Sequence, residues 1–326
     1  MGLNWNPVPT ATPTRPHSQT TASPRNPDRR YNPLARWHLL SLDAPTVAAL
    51  WTWFIAASNQ IHLPLTAALA MALAVWALYA ADRLLDARLL DASLMDTRLM
   101  DARTLDTQPH LFQNLEARHF FHHRNRTFFV AGILFASIAL AFLLPHLDAD
   151  AIRLYLILGS LVCGYFILIH ATQSAHRLPK EIAVGIFFAA ATFIPTVARR
   201  PDLRLTLLPF ALLFAALCSL NCLYIYAWEH KHHRHDLRLH PITGFALRHL
   251  SLLTTALIAA STAIALLGWN SRDQQSPWPI PCAIAIAAIL LQLLNRRRQT
   301  LDPITLRAAA DLALLTPVLL LPFLPR

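Results

Sequence analysis

Apolar residues run through this chain in long blocks, not in the strict alternation of a strand. From about residue 40 onward, stretches close to the ~20 residues that a bilayer-crossing helix needs recur with short polar breaks between them. They fall at about 44–60, 62–82, 127–146, 151–171, 181–198, 204–229, 249–269, 278–295 and 304–324. The pattern predicts an all-α fold, a polytopic membrane helix bundle of about nine transmembrane helices. The first block is the least regular, because Asn59, Gln60 and His62 crowd the turn into the second. Ahead of it, residues 1–35 are rich in Pro, Thr, Arg and Asn, carry one acid, Asp28, and lack the apolar core of a signal peptide. They read as a disordered basic cytoplasmic tail in front of a transmembrane domain at 40–326.

Composition sharpens this picture mainly by exclusion. Hydrophobic residues make up 55% of the chain and charged residues 14%, well below the roughly 25% of soluble domains, so an ordinary water-soluble enzyme is excluded. Seven glycines leave no G-x-G-x-x-G and no G-x-x-x-x-G-K, so there is no glycine-rich backbone loop to cradle a nucleotide phosphate. The four cysteines, Cys163, Cys218, Cys222 and Cys282, all lie in apolar stretches and read as small buried hydrophobes, not disulfides or thiolate ligands.

The net charge of +10 reports orientation. Sorted by loop, 22 of the 28 Lys and Arg fall on the side of the N-terminal tail, as expected where cytoplasmic loops retain positive charge. The N-terminus is thus expected in the cytoplasm, at a bacterial inner membrane. The lipid bilayer is the partner and no nucleic acid is needed to explain the charge. Arg199, Arg200 and Arg204 are the cluster that breaks the pattern.

One segment repeats. Asp86, Asp91, Asp96, Asp101 and Asp106 recur every five residues among Leu, Ala, Met and Arg. On a helix a step of five advances about 140° from the previous acid, so these carboxylates wind around the axis and form no single acidic face. The segment, at about 87–115, reads as a low-complexity loop insertion, and four repeats are too few to stack into a β-helix.

Candidate chemistry stands at the helix ends. Asp82 and Asp86 are four apart, on one face of a helix whose C-terminal end is already negative. Such a pair gains from a divalent cation, and Mg²⁺ commonly bridges carboxylates to phosphate oxygens. Arg83 beside them suits a phosphate. The same acids are also what an ordinary membrane border presents to water. The sixth block ends comparably, with Asn221, Ile225 and Glu229 at steps of four and Tyr224 and Trp228 on the adjacent stripe, although aromatics are routine at bilayer borders. Between these ends, His176-x-x-x-Lys180 offers a cationic spot for a diphosphate. Deep in the ninth block, Asp311 follows Arg307 by four, which predicts a pair along one helix face. Pro195 and Pro317 predict kinks.

Nine spans with chemistry-bearing loops after the second and sixth resemble the UbiA-type intramembrane prenyltransferases, over roughly residues 40–326. That family's first motif, N-D-x-x-D-x-x-x-D, is matched in its last two acids by Asp82 and Asp86, with Leu78 and Tyr79 in place of Asn and Asp. Its second, D-x-x-x-D-x-x-x-D, is matched by Asn221, Ile225 and Glu229, and its Y-x-x-x-K element by His176 and Lys180. The resemblance implies Mg²⁺ on Asp82, Asp86, Asn221 and Glu229, with Asp82, Asp86 and Glu229 as catalytic acids. It implies an isoprenyl diphosphate held by Arg83, Lys180, His176, Arg126, Asn221 and Tyr224, ionised to an allylic cation and attacked by an aromatic or other lipophilic acceptor.

Two other readings compete. One is a catalytically silent membrane scaffold or lipid-binding protein that keeps the fold without the second motif. The other is a transition-metal binding or transport protein. It rests on Glu116, His119, His122 and His123 in one loop and Glu229, His230, His232, His233 and His235 in another. No span carries ligands in series to pass such an ion, which counts against transport.

Overall fold

The computed structural model describes residues 33–99, 121, 124–171, 179–229, 240–270, 277–301 and 303–324, with side chains at all of these except 35, 86–99, 166 and 169–171. Its regular elements are all helical. In chain order they are α1 (Pro33–Leu39), α2 (Asp43–Ser58), α3 (Leu65–Leu99), α4 (Arg126–Leu143), α5 (Ala149–Ala171) and α6 (Lys180–Arg199). Then come α7 (Arg204–Glu229), α8 (Pro241–Arg248), α9 (Leu250–Asn270), α10 (Pro279–Arg297), α11 (Pro303–Leu312) and α12 (Pro317–Leu320). All nine apolar blocks are helical. Seven stretches are long and apolar enough to cross a membrane: Leu65–Leu85, Arg126–His146, Lys180–Arg199, Pro201–Glu229, Leu250–Asn270, Pro279–Arg297 and Pro303–Phe323. The other two blocks are α2, of 16 residues, and α5, of 23.

The five-residue repeat behaves differently from the expected loop. Its backbone continues α3 as helix through Leu99. Leu, Ala, Met and Arg are strong helix formers and residues 85–99 contain neither Gly nor Pro, so nothing local stops the helix at the end of the apolar block. Residues 100–120 lie outside the described residues, as do the tail residues 1–32.

The core is built where α2, α6, α7, α9, α10 and α11 meet. Trp51 of α2 is fully buried, with its ring centroid 4.2 Å from that of Phe214 of α7 and 5.8 Å from that of Phe54. Ile280, Ile284 and Leu291 of α10 complete this layer. By contrast, 11% of the apolar window of the fourth helix is buried against 50% for α10, so α4 sits at the rim with Phe128, Phe135 and Phe142 turned outward. An outward apolar face of that kind is what a lipid-facing helix requires.

Both expected prolines act, each in its own way. Pro195 stays inside α6 and leaves the carbonyl of Ala191, four residues back, without its helical donor; the Tyr155 hydroxyl of α5 donates to that oxygen at 3.2 Å. Pro317 interrupts the α-helix and starts a new one, so the last block is α11, a 3₁₀ turn at Ala313–Leu315 and α12. The Leu314 carbonyl, whose 3₁₀ donor would be the missing N–H of Pro317, accepts from Trp51 Nε1 at 2.8 Å.

Candidate functional site

A sharp turn creates the most polar place in the bundle. Between α1 and α2, Ser41 takes a left-handed backbone with φ of 59°, a costly conformation for a residue with a side chain. The reversal sets His38, near the end of α1, against Asp43 at the start of α2. Two groups of α3 hold it there. Arg83 donates from one terminal nitrogen to the His38 carbonyl at 2.8 Å and to Ser41 Oγ at 3.0 Å, and Trp76 Nε1 donates to the Leu40 carbonyl at 3.1 Å.

Five helices then contribute one side chain each. His38 Nδ1 lies 2.5 Å from Asp43 Oδ2 and 3.6 Å from Asp311 Oδ2 of α11. The second terminal nitrogen of Arg83 is 3.6 Å from Asp43 Oδ2, and Asp43 Oδ1 accepts from the Ala44 amide at 3.0 Å. Asn221 of α7 donates through Nδ2 to Asp311 Oδ1 at 3.0 Å, while its Oδ1 is buried with no hydrogen-bond partner. Buried charges survive only when compensated, and here two carboxylates face a guanidinium and an imidazole. Burial by itself would push the His38 pKa down. Its contacts with Asp311 and Asp43 outweigh that and raise it above the ordinary histidine value, which favours the imidazolium.

Around this cluster the surrounding helix ends converge. Tyr79 of α3 is within electrostatic reach of Cys222, Asp311, Asp43 and Arg83. Cys222 of α7 is in turn within reach of Asp311, Glu181, Arg307 and Lys180.

The residues expected from the sequence distribute as follows. Arg83 is buried in the cluster and Asn221 touches it, but Asn221 does so through Asp311. Glu229 lies two helical turns further along α7 and forms an ion pair of 2.6 Å with Arg307. The expected Arg307–Asp311 pair is thereby replaced: Arg307 reaches across to α7, and Asp311 turns to His38 and Asn221. Tyr224 is fully buried, its hydroxyl 2.9 Å from Thr254 Oγ1 of α9, and Trp228 Nε1 donates to Asn295 Oδ1 at 3.0 Å. Both aromatics thus have packing partners inside the bundle. Asp82 is half-buried on α3, while Lys180 and Arg126 are exposed first residues of α6 and α4. The Asp86 side chain, His176 and the histidines at 119, 122, 123, 230, 232, 233 and 235 lie outside what the structure describes. Among the described residues, the one group of three or more potential metal-ligating side chains is His38, Asp43 and Asp311.

Two members of this group went unseen in the sequence. His38 falls in the gap between the tail at 1–35 and the transmembrane domain at 40–326, and Asp43 is the residue just before the first apolar block. The one available signal was an acid at the head of an apolar helix, five residues after a histidine. Comparison with models of protein families, with curated proteins and with solved structures returns no match for the chain.

Proposed function

We propose that the chain works as a divergent intramembrane prenyltransferase, similar to the UbiA type, moving an isoprenyl group from an isoprenyl diphosphate to an aromatic or other lipophilic acceptor. The convergence of α3, α7 and α11 is the observation that carries this reading: Arg83 and Asn221 both reach the polar cluster, and Lys180 and Arg307 are within electrostatic reach of Cys222, one residue beyond Asn221. An isoprenoid tail would lie between helices, with its diphosphate at that mouth, held by Arg83, Lys180 and Arg126. The allylic C–O bond breaks, diphosphate leaves with the electron pair, and the acceptor forms the new bond and loses a proton. Mg²⁺ on Asp82 and Asp86 would stabilise the charge of the leaving diphosphate. Asn221 and Glu229 do not fit a shared second ion, because one is bound to Asp311 and the other to Arg307.

Those same two contacts favour a second reading, a catalytically silent relative that binds lipid or scaffolds without turnover. The experiment is thermal unfolding of the purified protein with a non-hydrolysable isoprenyl diphosphate, with and without Mg²⁺, in wild type and Asp82→Asn. A ligand of the folded state at a hundredfold its Kd contributes about 2.7 kcal/mol, so the midpoint should rise with Mg²⁺ and rise less in the variant. No rise at any prenyl length, or an equal rise in Asp82→Asn, rejects the proposal. A rise without product formation selects the silent reading.

A further inference from the structure

We propose that His38, Asp43 and Asp311, together with the carboxamide oxygen of Asn221, form a binding site for one divalent first-row metal ion such as Mn²⁺ or Zn²⁺. The site is built from α1, α2, α7 and α11 and is separate from the Asp82–Asp86 pair of α3. It does not depend on the prenyl-transfer reading.

Geometry comes first. One ligand atom from each of His38, Asp43 and Asp311 lies within 4.8 Å of the other two. An ion bound at about 2.1 Å in a tetrahedral shell holds its ligand atoms about 3.4 Å apart. The His38–Asp311 separation of 3.6 Å already matches that spacing, and the 2.5 Å between His38 and Asp43 has to open by about 1 Å, a side-chain adjustment. The ion takes the place of the proton that the imidazole shares with the carboxylates.

Asn221 supplies an independent observation. It is 5% exposed, its amide is aimed at Asp311, and its Oδ1 has no partner although the atom is buried. Polar atoms sealed from water in this way are rare and costly. Turning the amide over brings that oxygen to the Asp311 side, where a cation among the carboxylates would satisfy it, and moves Nδ2 to the position that the oxygen now holds, with Asp311 changing from hydrogen-bond acceptor to ligand.

Arg83 does not fill the same space. One of its terminal nitrogens is committed to the His38 carbonyl and Ser41, and the other stops 3.6 Å from Asp43, beyond hydrogen-bonding distance. The donor set decides the class of ion. Three oxygens suit hard cations and one imidazole nitrogen draws the preference towards first-row transition ions, with no thiolate to select a soft one.

The test uses the full chain in detergent, with the loop histidines 119, 122, 123, 230, 232, 233 and 235 replaced by Gln so that they cannot bind metal adventitiously. Mn²⁺ is the probe, followed by electron paramagnetic resonance, with pulsed modulation reporting any directly bound ¹⁴N. One bound Mn²⁺ per chain with one coupled nitrogen is expected, displaced by Zn²⁺. The nitrogen coupling should vanish in His38→Gln, and affinity should fall at least about tenfold in Asp311→Asn. Because substitutions in a buried network can block folding, the chain with an intact cluster is decisive by itself. A spectrum of free aqueous Mn²⁺ alone overturns the proposal, as does nitrogen coupling that survives in folded His38→Gln.

Discussion

A methyl group on Gly185 of α6 would stand 2.6 Å from the Ser219 amide nitrogen and 2.8 Å from the Ala215 carbonyl oxygen of α7. Those are backbone atoms and cannot rotate aside, so the two helices would have to separate along a contact that also carries the bond from the Ser219 hydroxyl to the Ile182 carbonyl of α6 at 3.4 Å. Close approach through small residues is how helices gain packing energy where lipid offers no hydrophobic drive. Gly185→Ala should therefore cost about 1–3 kcal/mol, read as a lower midpoint of thermal unfolding in detergent. Gly159 of α5 is the control. Nothing lies within 4 Å of its added methyl, so Gly159→Ala should be neutral or stabilising by up to about 1 kcal/mol, the helical advantage of Ala over Gly. Neither role was legible in the sequence, where glycine counted only through missing phosphate loops. The distinction depends on which neighbour faces each residue. His38 and Asp43 were hidden for the same reason, since they become a pair only through a left-handed Ser41 that no local pattern announces.

Pro195 shows how a helix-breaking residue is accommodated inside a helix by its neighbour. The Ala191 carbonyl that it strands is taken by the Tyr155 hydroxyl, so α5 repairs α6. Tyr155→Phe should cost about 0.5–1.5 kcal/mol, the net worth of one hydrogen bond. Pro195→Ala restores an N–H four residues after Ala191, and in that background the loss from Tyr155→Phe should shrink towards zero. A double-mutant cycle on unfolding midpoints measures the difference, and equal losses in both backgrounds would show that the hydroxyl serves another purpose. Elements of this kind were largely readable. Apolar block length announced the helices, and Pro317 announced the break that now separates α11 from α12. What misled was composition: the Asp-rich repeat reads as an inserted loop by its low complexity, yet its front half has the propensity of a helix and follows α3 without a stop signal.

Which helix ends share a side constrains how the chain can cross a membrane. The His38–Asp43–Asp311 cluster stands at one end of α2, and at its other end the turn into α3 presents the His62 carbonyl to Arg199 at 2.9 Å. Sixteen residues at 1.5 Å each carry α2 about 24 Å between these points, antiparallel to the stretch of α7 that leads to Asn221. The start of α5 belongs with the His62 side, because Asp148, Ala151 and Tyr155 line the same small pocket as Leu63, Pro64 and Arg199. Both helices that fall outside the seven long apolar stretches thus run in the alternating sense that nine crossings require. Two of the three arginines that break the charge rule have local partners: Arg199 donates to the His62 carbonyl, and Arg200 pairs with Asp202 at 2.7 Å. Nine crossings with a cytoplasmic N-terminus predict a definite labelling pattern in a chain whose four cysteines have been replaced. A membrane-impermeant maleimide added to intact cells should modify Asp150→Cys and Asp202→Cys, and should reach Ser18→Cys and Thr300→Cys only after permeabilisation. Labelling of Ser18→Cys together with Asp202→Cys from outside would put the tail on the same side as the turn between α6 and α7, and would reject nine crossings with a cytoplasmic N-terminus.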